Sequence, residues 1–365
     1  METLIPRRYA ILTEGLLVGM HGKTAHGVLR YRDDAVVAVI DSHYAGKRVD
    51  EVLPALGSRA PIVASLEEAM KLGPTALLVG VATSGGKMPP AMRPTVLAAV
   101  DAGLEIVNGL HDCLKDDPEI VARAQRSGAQ LWDVRVPPDD IPLFSGAAYN
   151  VRSQVVLAIG SDCAVGKMTA MLEVERAAKE EGARIEFVAT GQTGILIAGK
   201  GIAVDRVISD FVTGAAEQLV LDAARNADVV FVEGQGSIFH PAYAPVTFGL
   251  LYGSAPDALV LCHRVGKTAI AGFENVELPD LAELVRDHEA LIERIKPAKV
   301  VAIALDTSAL SEQQARNAIA QTAKETGLPV DDPVRNGGAG LWHAIQKGIE
   351  STQKALDRAA AAARS

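Results

Sequence analysis

The chain is poor in aromatic side chains and in cysteine and has no long apolar run, and each shortage removes a class of protein. Aromatic residues are 4% of the 365 positions, so the core is aliphatic. A nucleic-acid groove would need stacked aromatics interleaved with lysine and arginine; no such stripe exists. The formal net charge of −9 makes a polyanion an unfavourable partner, and no nucleic-acid partner is expected. Cys113, Cys163 and Cys262 are odd in number and far apart, which gives neither a disulfide framework nor a paired metal motif and suits a reducing cytoplasm. No apolar run approaches the roughly 20 residues of a spanning helix, and the segment Met1 to Ala10 already carries Glu2, Arg7 and Arg8. No membrane association is expected. What is abundant is aliphatic side chain, glycine and proline: 48% hydrophobic residues, 33 Gly and 18 Pro. That mixture fits short buried strands joined by tight turns, an α/β protein. The length predicts two domains, each able to bury a core without metal or disulfide.

In the first half, short apolar runs alternate with amphipathic stretches, the pattern of βαβ units feeding a parallel sheet. Strands are predicted at Tyr9 to Leu12, Ala35 to Ile40, Pro61 to Ala64, Ala76 to Val81, Glu105 to Asn108 and Gln130 to Val134. Ser65 followed by Leu66-Glu67-Glu68 is a helix cap with glutamate at the third helical position, and Asp117-Pro118-Glu119 puts proline where a helix begins. Pro137-Pro138-Asp139-Asp140 and Pro142 break the pattern and read as a linker over 137–153. A second series predicts strands at Val155 to Ile159, Arg184 to Ala189, Ala227 to Val232, Ala258 to Cys262 and Lys299 to Leu305, with a helix-favouring segment at Ala339 to Ala363 whose alanine-rich end is expected to face solvent. Ligands of such sheets sit beyond the carboxyl ends of the strands, where chemistry is to be sought.

One strand end stands out. Val155 to Ile159 runs into Gly160-Ser161-Asp162-Cys163-Ala164-Val165-Gly166-Lys167-Met168-Thr169 and then a helix predicted from Lys167 to about Glu181. Glycines let the backbone turn its N–H groups inward, the helix N-terminus adds positive charge, and a lysine neutralises phosphate oxygens. The spacing of the two glycines resembles that of dethiobiotin synthetase and its relatives. After the lysine, where an ordinary phosphate loop has the hydroxyl that holds Mg²⁺, this chain has Met168. Thr169 follows about 100° further round the helix and does not simply replace that ligand. Phosphate binding without metal-assisted hydrolysis is the expectation, no metal is assigned, and a diphosphate-bearing molecule such as coenzyme A suits the loop. Cys163 near the helix start is either an activated thiol or a small loop residue.

Val232-Glu233-Gly234-Gln235-Gly236-Ser237 follows another strand. In the dethiobiotin synthetase group a similar segment carries an acidic residue to the phosphates. Glu233 is therefore either a catalytic carboxylate, here a general base, or a cap on local turn amides. Thr190-Gly191-Gln192-Thr193-Gly194 reads as a loop whose Gln192 and Thr193 suit a polar or anionic substrate. Arg206 is a candidate carboxylate clamp between Asp205 and Asp210, either of which could ligate a metal. His240, His263, Arg264 and Lys267 lie just past strand ends and together would face an acidic substrate; each alone also reads as structural. Gly266-Lys267-Thr268 imitates the end of a phosphate loop but lacks the earlier glycine and is not assigned one. In the first half, Val79 to Lys87, a strand followed by a glycine and hydroxyl loop, and Asn108 to Asp112 fall at the ligand edge of the sheet in an order that resembles the coenzyme A-binding domain of acyl-CoA synthetases, without a GxGxxG signature.

Together, the N-terminal half, the Gly160 to Thr169 loop, Thr190 to Gly194 and Val232 to Ser237 resemble the bacterial D-glutamate N-acetyltransferase family, formerly a domain of unknown function, over roughly Tyr9 to Gly348. The resemblance implies a Rossmann-like domain over 1–136 and a P-loop NTPase-like domain with a C-terminal helix over 154–365, both parallel-sheet α/β. It implies acetyl transfer from acetyl-CoA, a co-substrate, to the amino group of an acidic D-amino acid, with Gly160 to Thr169 holding the coenzyme A phosphates. Glu233, His240 and Arg206 are the catalytic candidates by position, and Gln192, Thr193 and Arg264 the substrate-binding ones. A Mg-ATP ligase or kinase like dethiobiotin synthetase is the alternative activity, and a nucleotide-sensing module without turnover the alternative class. A homo-oligomer is expected from the frequency of such assemblies among enzymes of this size.

Overall fold

A computed structural model describes residues 7–362, with side chains up to residue 355. The described residues form two compact units, one running up to Pro137 and including Gln192–Arg206, the other holding Pro138–Gly191 and the described residues from Val207 onward.

The first unit is a six-stranded parallel sheet of β1 (Tyr9–Leu12), β2 (Val36–Ile40), β3 (Ile62–Val63), β4 (Ala76–Val79), β5 (Glu105–Asn108) and β6 (Leu131–Asp133) in the order β3-β2-β1-β4-β5-β6. All its pairings are parallel. Helices cross between the strands, and both predicted caps form: Ser65 Oγ accepts the Glu68 amide at 3.3 Å, and Asp117 accepts the Glu119 and Ile120 amides. Its core is aliphatic, with Leu12, Ile40, Leu77, Val79 and Ile106 closed off from solvent.

The second unit is another six-stranded parallel sheet, in the order β14-β13-β10-β7-β9-β8. Its strands are β7 (Gln154–Gly160), β8 (Ile185–Val188), β9 (Val229–Val232), β10 (Ala258–Arg264), β13 (Lys299–Asp306) and β14 (Val330–Asp331); a hairpin of β11 (Ala269–Ile270) and β12 (Phe273–Glu277) follows β10. Every strand expected from the sequence is present. β7, buried from Val155 onward, lies between β9 and β10, where strand order reverses and a doubly wound sheet opens its ligand crevice. The C-terminal helix Ala339–Ala362 seats Leu341, Trp342, Ile345 and Ile349 in the core, spaced to fall on one helical face; Trp342 meets Phe231 of β9 edge-on at 6.1 Å. Ala363 and the side chains of the alanine-rich end lie outside the described residues. No helix among the described residues is long and apolar enough to cross a membrane.

One local expectation is corrected. Thr190 to Gly194 is not a continuous loop: Gln192 opens the helix Gln192–Ala198, in which Gln192 through Ile197 are buried. Burial of that run outweighs the turn propensity of its glycines.

Candidate active site

The hydrogen-bonding of β7 ends at Gly160, and the chain turns through Ala164 (φ 53°) and Gly166 (φ 92°), both left-handed, before entering the helix Lys167–Glu180. Lys167, first residue of that helix, folds its side chain back over the strand ends and is 7% exposed. Its Nζ donates to the carbonyl oxygens of Asp162 and Gly236, each at 2.8 Å. Two glycines make this passage: a Cβ on Gly160 would stand 2.7 Å from Nζ, and one on Gly234 would stand 3.1 Å from Cδ. Burial pushes the Lys167 ammonium below its ordinary range, while the nearby Cys163, Cys262, Asp162 and Glu233 oppose that shift. The ammonium is thus buried with two neutral carbonyls as its hydrogen-bond partners. Cys262 beneath it is fully buried, and burial pushes its thiol up to about 12.

Asp162 is the loop's internal anion, with no exposed surface. Its carboxylate accepts the Cys163 amide at Oδ1, and at Oδ2 both the Ala271 amide of the hairpin at 2.7 Å and the Lys267 ammonium at 2.9 Å. Burial alone would raise this carboxyl; Lys267 and the two amides outweigh it, and the net shift is downward. His240, 2% exposed, turns Nε2 toward Asp162 Oδ1 at 3.8 Å and accepts the Ala242 amide at Nδ1. Its ring packs on Tyr243 and Phe273.

Donor atoms of Asp162, Cys163 and His240 lie within 4.8 Å of one another, close enough to raise the question of a metal. The chemistry does not fit one. A ligating histidine donates its other ring N–H to an acceptor, whereas Nδ1 here receives an amide proton, which puts the ring's own proton on Nε2. Lys267 further supplies Asp162 with its counter-charge.

Glu233, directly after β9 and 5% exposed, accepts the amides of Thr190 and Gly191 at Oε2, at 2.9 and 3.1 Å. Thr190 Oγ1 in turn donates to the Glu233 carbonyl, and Gln235 donates to Thr190 Oγ1. The cap on local turn amides, one of the two roles open to Glu233 in the sequence, is thus realised, and it fixes the carboxylate close to Lys167. Ser161 ties β7 to β10: its amide donates to the Cys262 carbonyl and its Oγ lies 2.9 Å from His263 Nδ1. Burial, helped by the Lys267 charge, pushes His263 down to about 4, so its ring is neutral near pH 7. Arg264, half-exposed, pairs with Asp306 at 2.6 Å.

The remaining candidates belong to the first unit. Gln192 packs where a Cβ on Gly109 would be, 3.1 Å from Gln192 Cγ, and Thr193 meets Thr24. Arg206 donates to the His111 carbonyl at 3.2 Å and to Cys113 Sγ at 2.7 Å. Asp205 pairs with Arg135, a buried arginine that also donates to the Gly109 carbonyl.

The structure therefore gathers the Gly160 to Thr169 loop, Glu233 and His240 at one sheet edge. It adds Lys267 and His263 to them; of the residues that the sequence puts just past the strand at Ala258 to Cys262, His263 and Arg264 instead belong to β10 itself, whose pairing with β13 runs on to Arg264, and only Lys267 lies beyond it. The signal for Lys267 was indirect: a carboxylate buried in a glycine loop needs a counter-charge.

A family model described as "Domain of unknown function (DUF1611_C) P-loop domain" matches residues 142–342, and one described as "Domain of unknown function (DUF1611_N) Rossmann-like domain" matches residues 42–137. The chain is 39% identical over 275 residues to the D-glutamate N-acetyltransferase of Pseudoalteromonas sp, covering 75% of this chain and 82% of that protein. It is 37% identical over 327 residues to the D-glutamate N-acetyltransferase of Tritonibacter scottomollicae, covering 88% and 93%. The crystal structure of a DUF1611 family protein from Anabaena variabilis matches with a TM-score of 0.89 at 40% identity, over 93% of this chain and 99% of that one. With both family models matched and a relative of known structure aligned over nearly its whole length, the chain belongs to the DUF1611 family.

Proposed function

We propose that the protein transfers an acetyl group from acetyl-CoA to the amino group of D-glutamate. The names of two relatives that match most of the chain support the acceptor and the reaction. One structural observation carries the cofactor reading: a buried Lys167, held by two carbonyls inside a glycine loop at a helix N-terminus, is suited to the diphosphate of coenzyme A, while Met168 stands where a metal-binding hydroxyl would be.

The reaction needs an amine nucleophile, so a base must take a proton from the acceptor ammonium before nitrogen attacks the thioester carbon. The tetrahedral oxyanion then collapses, the C–S bond breaks, and the coenzyme A thiolate leaves and takes up the second proton, which the nitrogen sheds on becoming an amide. Glu233 is the proposed base, being a buried carboxylate oriented by two amides close to Lys167. His240 is assigned a positioning role, because its Nδ1 is occupied by the Ala242 amide and its Nε2 faces Asp162.

The test incubates the purified protein with acetyl-CoA and D- or L-glutamate while free thiol is followed, beside ATP, Mg²⁺ and the same amino acids while phosphate and ADP are followed. Thiol release that depends on D-glutamate and persists in EDTA is expected. Turnover of ATP that EDTA abolishes and Mg²⁺ restores would establish a ligase or kinase instead.

A further inference from the structure

We infer that Lys267 is a positioning residue of the phosphate loop, neutralising Asp162 so that a loop already containing one buried anion accepts a second. The inference rests on the proposed role of the loop as the holder of a diphosphate.

The loop presents a contradiction that charge alone exposes. Its amides, helix terminus and Lys167 are arranged to attract an anion, yet Asp162, three residues into the glycine loop and inaccessible to solvent, carries a negative charge of its own. Like charges a few ångströms apart and shielded from water repel strongly, so an uncompensated Asp162 would oppose phosphate entry. Lys167 lies near enough for its charge to act on Asp162, but its ammonium bonds the main-chain oxygen of that residue and leaves the carboxylate without a contact cation. His240 presents a single Nε2 at 3.8 Å. The ammonium in direct contact is that of Lys267, at 2.9 Å from Oδ2, and its side chain is itself only 22% exposed. The turn of the hairpin is locked to the same oxygen by the Ala271 amide, and Phe273 on β12 closes against the His240 ring at 5.5 Å. The turn between β10 and the hairpin thus places one cation on the loop's acid. Lys267 acts through Asp162 and has no assigned contact with the reacting atoms.

Calorimetric titration with inorganic pyrophosphate and with acetyl-CoA tests this in wild type, Lys267→Ala, Lys267→Arg and the double variant Asp162→Asn with Lys267→Ala. Lys267→Ala should weaken both ligands by about 10- to 100-fold, and Lys267→Arg should retain most of the affinity. The double variant, in which the uncompensated charge is gone, should return to within about threefold of wild type, the coupling expected of groups in contact. A merely structural lysine would not be rescued by removing the acid. Unchanged affinity in Lys267→Ala, or a loss that Asp162→Asn does not repair while thermal unfolding shows a folded protein, overturns the role of Lys267. Failure of the wild type to bind either ligand would instead remove the phosphate reading beneath it.

Discussion

A Cβ on Gly234 would stand 1.7 Å from the carbonyl oxygen of Ala158, so the backbone leaving β9 lies directly on β7 and no larger residue fits between them. This approach brings the Glu233 segment beside the phosphate loop. Gly234→Ala must push two backbones apart at the centre of a sheet, and its expected cost is about 3 kcal/mol or more. Urea unfolding followed by circular dichroism measures it. A loss below about 1 kcal/mol would show that the strands separate easily there.

Lys167→Ala removes the buried ammonium while leaving the loop amides and the helix N-terminus. Charge-assisted contacts to phosphate are the strong ones, and the expected weakening of acetyl-CoA binding is about 100-fold. Isothermal titration decides it. Equal affinity in variant and wild type would take this loop out of the binding site.

Glu233→Gln keeps shape and one acceptor oxygen for the Thr190 and Gly191 amides but cannot take up a proton. If Glu233 is the base, kcat falls by about 10²- to 10⁴-fold while acetyl-CoA affinity changes little, and the variant lacks the rise of rate with pH that is expected of wild type. A kcat close to wild type would leave the residue as a cap and turn attention to neutral His263.

His288 sits in the helix Leu281–Glu293 with no solvent exposure, and its Nδ1 contacts the Leu284 carbonyl at 2.7 Å. Its Nε2 lacks a hydrogen-bond partner, and burial pushes its pKa down to about 4. The unfolded chain therefore binds this proton near pH 6.5 while the folded one binds it only near 4. The stability associated with neutral His288 is complete above about pH 6.5 and is lost as pH falls through about 4, by an order of 3 kcal/mol. Denaturation at pH 7.5 and at pH 4.5, compared between wild type and His288→Leu, isolates this part, since other titrating groups are common to both. Parallel losses in the two proteins would refute it.

Much of the fold could be read from local pattern. Aliphatic runs closed by polar or turn residues marked every strand of the two sheets except the edge strand β14, because a strand buried on both faces needs an unbroken apolar stretch. Ser65 and Asp117 announced their helices, because a side-chain oxygen that satisfies helical amides acts within one turn. The hairpin Ala269–Glu277 and the edge strand Val330–Asp331 escaped, being too short to carry a period. The helix at Gln192 escaped because its glycines and threonines favour a turn locally and only burial overrides them.

The same division holds at the site. Sequence by itself determined the Gly160 to Thr169 loop, its lysine and its missing metal hydroxyl, because strand, turn and helix terminus are contiguous and their chemistry is local. Only the tertiary structure decided that Gly160 and Gly234 leave room for the Lys167 side chain, that Glu233 binds the Thr190 and Gly191 amides, that Lys267 neutralises Asp162, and that Gln192–Arg206 packs with the first unit. Each of these joins residues from separate stretches of chain. Burial ties them to one another: inside a low-dielectric core a polar group left without a partner is costly, so these groups pair wherever the fold brings them together.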